Sequence, residues 1–137
     1  MSVTYEMKKA RIENLMNNLR VISDLNYQKK AWIENSIPRV IDSFEERMCM
    51  FFDDVAIDDL LNELSKNPKN FGFNTQQRSE LWEIRNKLRE FTDKYEPTYH
   101  TTEHANPARI LANPKWHEVS KCAKKTLECL KDYEVPQ

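Results

Sequence analysis

The sequence predicts an all-α protein, and three observations support that prediction. The chain of 137 residues contains a single glycine, Gly72, although β-hairpins and phosphate-binding loops depend on glycine for positive φ or close backbone approach. Apolar residues recur at helical spacing in several segments, and helix-capping residues precede those segments. A chain of this length is expected to build one hydrophobic core. We therefore predict a single domain, residues 1–137, folded as a bundle of five to six helices.

The N-terminal part of the chain predicts two helices. Residues 4–22 carry an apolar stripe with helical spacing, formed by Ile12, Leu15, Met16, Leu19 and Ile22. Ser23 and Asp24 then supply an N-cap for a second helix over about residues 25–35. Pro38 ends that element, because a proline disfavours helix at the residue before it.

The most acidic segment, residues 42–63, also holds the densest apolar run of the chain. Eight carboxylates stand beside one arginine, which gives a local net charge of −7 in a chain whose total is −1. Ser43 followed by Glu46 is a capping-box pattern, so we predict a helix over residues 43–54. The alternative is a short buried strand at residues 48–52, since a short apolar run does not fix the period. The helix would bury Phe44, Met48 and Phe51 and would expose Glu46, Met50 and Asp53.

The remaining elements follow from the same signals. We predict a short helix over residues 57–65, a loop over 66–73, and a long helix that Asn74 or Thr75 caps and that ends near residue 95. A polar surface loop is expected over residues 96–107, which contain Pro97 and Pro107. Asn113 and Pro114 begin a last helix that runs to about residue 132.

The candidate chemical sites are weak. Adjacent aspartates lack the Glu-x-x-His motifs of di-iron bundles and the spacing of a calcium loop. His100 and His104 lie in the predicted loop without the further ligands that zinc requires. The three cysteines, Cys49, Cys122 and Cys129, form no Cys-x-x-Cys pair and are expected to be reduced. We predict no catalytic residues, no metal and no cofactor, and therefore no enzyme.

The surroundings of the protein are predicted from its charge and hydropathy patterns. Its basic residues are interleaved with acids, which argues against a nucleic-acid partner. The sequence has no apolar run of membrane-spanning length and no signal-peptide pattern near its start. We therefore expect a cytoplasmic protein with no membrane association.

Three motifs in order resemble a known family. They are Asp24-x-x-Tyr27-Gln28-x3-Trp32, then Ser43-Phe44-Glu45-Glu46 leading to Phe51-Phe52-Asp53-Asp54, and then Asn113-Pro114-x-Trp116-x-x-Val119. The series resembles small bacterial immunity proteins, which protect a cell from polymorphic toxins such as those of contact-dependent growth inhibition systems. The stretch 58–73 departs from the family pattern, in which a short glycine-bearing turn would be usual.

The resemblance implies a binding protein that neutralises a protein toxin. The expected toxin is a nuclease with a basic active-site groove, which an acidic surface would occupy. The alternative is a small cytosolic regulatory or scaffold domain without a toxin partner, in which the acids only increase solubility. The expected partner-binding residues are Glu45, Glu46, Met50, Asp53, Asp54, Asp58 and Asp59.

Overall fold

The structure is a computed structural model that describes residues 5–39, 42–99 and 107–137, with the backbone alone described for 95–99. Within those ranges every regular element is helical, so the all-α prediction is confirmed. Two helices end in a wider π-helical turn, whose backbone bonds join residue i to residue i+5. In chain order the helices are α1 (Tyr5–Ser23), α2 (Leu25–Gln28, extended by the π turn Lys29–Ile33), α3 (Phe44–Cys49, extended by the π turn Met50–Asp54), α4 (Ile57–Lys66), α5 (Thr75–Tyr99), α6 (Pro107–Ala112) and α7 (Pro114–Leu130), with a 3-10 turn at Pro68–Asn70.

Several helices begin at the capping residues that the sequence predicts. Asp24, Ser43 and Asn113 each accept a hydrogen bond from a backbone N–H of the following first turn, at 3.0, 3.1 and 2.9 Å. Asn74 and Gln77 cap α5 reciprocally, because each side chain accepts from the backbone N–H of the other, at 2.8 and 2.9 Å. These contacts are local in the chain, so the sequence alone locates them.

The centre of the fold is formed by α1, α5 and α7. The most extensive contacts between elements are those of α7 with α1 and with α5. Around this centre, α4 packs on α5, the π turn of α3 contacts α1 and α4, and α6 contacts α7 and the π turn of α2. None of the described helices combines the length and the apolar character that a membrane crossing needs.

A group of aromatic side chains joins α2, α3, α5 and α7 in the core. The ring of Trp116 lies 5.4 Å from Phe44 and 5.1 Å from Phe91, and the ring of Trp32 lies 6.1 Å from Trp116, measured between centroids. All four side chains are buried. Contacts of this kind add about 0.5–1.5 kcal/mol per pair to the free energy from area burial. The aromatic group therefore fixes where α3 lies on the bundle.

The predicted boundaries need three corrections. The alternative of a strand at residues 48–52 is wrong, because α3 and its π turn cover the whole apolar run. The loop predicted over residues 96–107 was started too early, because α5 continues to Tyr99. Pro97 removes one backbone donor, but a long helix tolerates that loss near its end. Helix α6 was not predicted, because its 6 residues include one buried residue, Ile110, and hence show little apolar periodicity. His100 and His104 lie outside the described residues.

The two π turns end in the same manner. In each, the backbone bond from i+5 to i closes the turn, Glu34 N to Lys29 O at 3.0 Å and Val55 N to Met50 O at 2.8 Å. A residue of positive φ follows both turns, namely Asn35 (φ 51) and Ala56 (φ 52). The second π turn leads through a bend at Val55 from α3 into α4. The acids of these two helices therefore lie on either side of that bend.

Candidate functional site

The eight carboxylates of the acidic segment divide into two groups according to their contacts. Three of them, Asp42, Asp58 and Glu63, are bound by arginines within the chain. The other five have no ion pair with any described residue; they are Glu45, Glu46, Asp53, Asp54 and Asp59. Three of the acids in the predicted acidic surface therefore stabilise the fold, and the other five remain for contact with water or a partner.

Asp42 belongs to the core. Its carboxylate accepts hydrogen bonds from Arg47 Nη2 at 3.0 Å, from Trp32 Nε1 at 3.1 Å and from the hydroxyl of Tyr27 at 3.1 Å. Burial together with the Asp42 charge raises the pKa of the Tyr27 hydroxyl. Nη1 of Arg47 donates to Asn18 Oδ1 on α1 at 3.2 Å, whereas its Nε is buried without a hydrogen-bond partner. This buried ion pair ties the start of α3 to α1 and α2 and leaves no charge for a partner.

Asp58 and Glu63 attach α4 to its neighbours. Asp58 accepts from Arg85 at 2.6 Å and lies 3.6 Å from Arg89, both on α5. The hydrogen bond from Arg85 lowers the pKa of the Asp58 carboxyl. Glu63 pairs with Arg11 of α1 at 3.2 Å, and Arg11 also donates to the carbonyl groups at the α3–α4 bend. Asp58 was predicted to contact a partner, yet in this fold it already holds two arginines.

The remaining carboxylates form what we call the acidic face, defined as Glu45, Glu46, Asp53, Asp54 and Asp59. All but Glu45 are exposed. Glu45 is half-buried, and its Oε1 atom is buried without a hydrogen-bond partner. When Arg11, Arg85 and Arg89 are counted with the acidic segment, its net charge falls from −7 to −4. The free charge is thus concentrated on α3, its π turn and the first turn of α4.

Apolar side chains border the acidic face. Phe52 is partly buried, and the guanidinium carbon of Arg89 lies 4.1 Å from its ring centroid. That separation is typical of a cation–π contact. Met50 is also partly buried, so the prediction of an exposed Met50 is wrong. Phe51 and Asp53 of the same π turn are buried and exposed as the helical phase predicts, so the error concerns Met50 alone.

Sequence reasoning found the acids but missed their basic partners. Arg85 and Arg89 lie four residues apart on α5 and bind the same carboxylate, Asp58. Their helical spacing places them on one face of α5, which is a signal visible in the sequence. Nothing in the sequence indicates which acid that face meets, because the pairing depends on how α4 packs on α5.

The described residues offer little for metal or thiol chemistry. Among them, no group of three histidine, cysteine or carboxylate side chains is placed to hold a metal ion. Cys122 is buried, and burial raises the pKa of its thiol to about 11, so it is protonated at neutral pH. Cys49 is exposed on α3, and Cys129 is partly buried.

The motifs that carry the family resemblance meet inside the core. Gln28 belongs to the first motif and Trp116 to the last, and the indole N–H of Trp116 donates to Gln28 Oε1 at 2.8 Å. Tyr27 and Trp32, also of the first motif, both bind Asp42. These motif residues therefore stabilise the fold. No protein-family model, curated protein or solved structure matches the chain. The resemblance to immunity proteins accordingly stays a prediction.

Proposed function

We propose that the protein is a cytoplasmic immunity protein that binds a bacterial toxin domain and blocks its active site. The observation that carries the proposal is the acidic face, whose exposed carboxylates have no basic partner among the described residues. The fold pairs three nearby acids with arginines but leaves these charges uncompensated. Uncompensated charge of one sign, concentrated on α3, its π turn and the first turn of α4, favours a partner of opposite sign. The family resemblance supports the same function.

The partner that fits this face is a nuclease with a basic substrate groove. Carboxylates in such a groove would take the place of the phosphates of the nucleic acid and would prevent substrate binding. Complementary charge also accelerates encounter, which matters for a protein that must capture a toxin before it acts. Phe52 and Met50 lie beside the carboxylates and would provide apolar contact within the charged surface.

Glu45 supports an interface at this position. Its Oε1 atom is buried without a hydrogen bond, which is costly unless a donor is supplied. Because the atom has no solvent exposure in the free protein, a lysine or arginine of the toxin would satisfy it only after the Glu45 side chain turns outward.

The proposal is tested by co-expression with the toxin domain encoded next to this gene, because immunity genes lie beside their toxin genes. We expect the two proteins to co-purify in equal amounts and the host cells to survive. Cell death, with both proteins present and no complex on a sizing column, would contradict the proposal. The matched control is the toxin domain of an unrelated system, which should kill the cells whether or not this protein is co-expressed.

A further inference from the structure

A second charged surface lies on the side of the molecule formed by α1, α2 and α7. An open groove runs between the end of α1, the start of α2 and the exposed edge of α7. Arg20, Lys121 and Lys124 stand around the groove, and all three are exposed. None of these three cations forms an ion pair with a carboxylate in the described part of the chain. We call this surface the basic groove.

The two acids in the basic groove are already engaged. Asp24 caps α2 by accepting the backbone N–H of Tyr27 at 3.0 Å. Glu118 lies 3.5 Å from Lys115 in an ion pair one turn away on α7. With both carboxylates counted against the three cations, the groove keeps a net charge of +1. Leu25, which is partly buried against the core, contributes an apolar element to the lining.

The acidic face of the same chain has the complementary chemistry. It presents carboxylates beside the partly buried Met50, whereas the groove presents cations around the partly buried Leu25. The two surfaces share no residue, so one copy can use its acidic face while its own groove stays open. The total charge of −1 gives two copies almost no long-range repulsion.

We propose that the basic groove binds the acidic face of a second copy of this chain, so that the free protein self-associates head to tail. The contact is heterologous, and each added copy leaves one free groove and one free acidic face. A nucleic acid suits the groove less well, because its lining offers no phenylalanine, tyrosine or tryptophan ring on which bases could stack. In the proposed immunity function a toxin would compete for the acidic face and release single copies, although the self-association itself does not depend on that function.

Sedimentation equilibrium of the purified protein over a range of concentrations tests this inference. We expect the average mass to rise with concentration at about 0.01 M salt and to return to that of a single copy near 1 M, where the Debye length is only about 3 Å. Two variants should stay monomeric at low salt: Glu46→Lys/Asp53→Lys, which reverses the acidic face, and Lys121→Glu/Lys124→Glu, which reverses the groove. Lys66→Glu/Lys69→Glu is the matched control, because both lysines are exposed and lie outside the groove.

Mixing the two reversed variants gives the sharpest result. The intact groove of the first variant then meets the intact acidic face of the second, and we expect assembly that neither variant shows alone. A wild-type protein that stays monomeric at every concentration and at low salt would overturn the inference. So would assembly that persists in either reversed variant, or a groove that binds a single-stranded oligonucleotide while the protein stays monomeric. The groove variant should still bind the toxin, so failure of this inference is distinguishable from failure of the proposed function.

Discussion

Trp116 of α7 donates its indole N–H to the side-chain oxygen of Gln28 on α2, at 2.8 Å, across 88 residues of sequence. The amide nitrogen of the same Gln28 donates to the carbonyl groups of Val21 and Ile22, at 2.7 and 2.9 Å, at the end of α1. Gln28 is fully buried, so these bonds satisfy its amide group without water. One side chain thus links α1, α2 and α7.

Replacing Trp116 with Phe should show the energetic value of this link. The change leaves the Gln28 oxygen buried and unsatisfied, which costs about 1–3 kcal/mol of unfolding free energy. Trp82→Phe is the matched control, because Trp82 is 38% exposed and its replacement should change stability by less than about 0.5 kcal/mol. Urea unfolding measures both variants. Equal stability of the two would show that the Gln28 contact contributes nothing.

Asp42 and Asp53 should respond very differently to the same substitution. Asp42→Asn removes the charge that holds the buried Arg47, and breaking a buried ion pair costs about 3–5 kcal/mol. Asp53→Asn changes an exposed carboxylate with no ion pair in the described residues, so its effect should stay within about 0.5 kcal/mol. Thermal unfolding of the two variants compares them directly. A strongly destabilised Asp53 variant beside a stable Asp42 variant would contradict the assignment of Asp42 to the core and of Asp53 to the acidic face.

Phe51 and Met50 are neighbours in the π turn but differ in burial. Phe51 is 0% exposed, and Phe51→Ala should cost about 3–5 kcal/mol. Met50 is only partly buried, so Met50→Ala should cost less than about 2 kcal/mol, below the range for a fully buried methionine. Urea unfolding gives both numbers. A larger loss at Met50 than at Phe51 would mean that the π turn presents the opposite face to the core.

Asp58 should give the protein a small stability term that depends on pH. Its pKa is lowered in the folded state by the hydrogen bond from Arg85, so the term is present above the unfolded pKa and is lost as pH falls through the folded pKa. Because the side chain is 45% exposed, Asp58→Asn should cost only about 0.5–1 kcal/mol at pH 7.

The difference in stability between wild type and Asp58→Asn should stay constant from pH 7 down to about pH 4, near the unfolded pKa, and should close below it. Asp59→Asn is the control, since Asp59 occupies the same first turn of α4 without an ion pair among the described residues. Unfolding in urea at pH 7 and at pH 3 measures both differences. A gap for Asp58→Asn that widens in acid would contradict the assigned pairing.

Most of the helices follow from the sequence because their signals are local. Ser43 bonds to a backbone group three residues away, and the stripe of α5 repeats within one helix. The division of the acids does not follow from the sequence, because it depends on distant partners. Glu63 meets Arg11 across 52 residues, and Asp58 meets Arg85 across 27. Only the tertiary fold, which packs α4 on α5 and brings Arg11 of α1 to Glu63, joins these charges.

The position of Met50 shows a second limit of sequence reasoning. The helix itself is predicted by the capping pattern at Ser43, and Phe44, Met48 and Phe51 are buried as predicted. The predicted helical phase also holds for Phe51 and Asp53 within the π turn, so only the exposure of Met50 was predicted wrongly. The apolar part of the candidate interface is therefore less exposed than the sequence indicates, and Phe52 with Arg89 lies beside it.

The central claim is that the acidic face captures a basic toxin surface, and the association rate constant of the toxin domain encoded beside this gene tests it most directly. The decisive variant reverses four exposed acids of the face, Glu46→Lys, Asp53→Lys, Asp54→Lys and Asp59→Lys. The control makes the same change in net charge at exposed acids elsewhere, Glu6→Lys, Glu13→Lys, Asp93→Lys and Glu134→Lys.

Stopped-flow association at low and high salt should separate these two variants. We expect wild-type association to slow steeply as ionic strength rises, because the Debye length falls from about 30 Å at 0.01 M to about 10 Å at 0.1 M. The reversed face should associate at least about tenfold more slowly than the control at low salt and should no longer protect cells, although it folds. Equal association rates and full protection for both variants would contradict the claim.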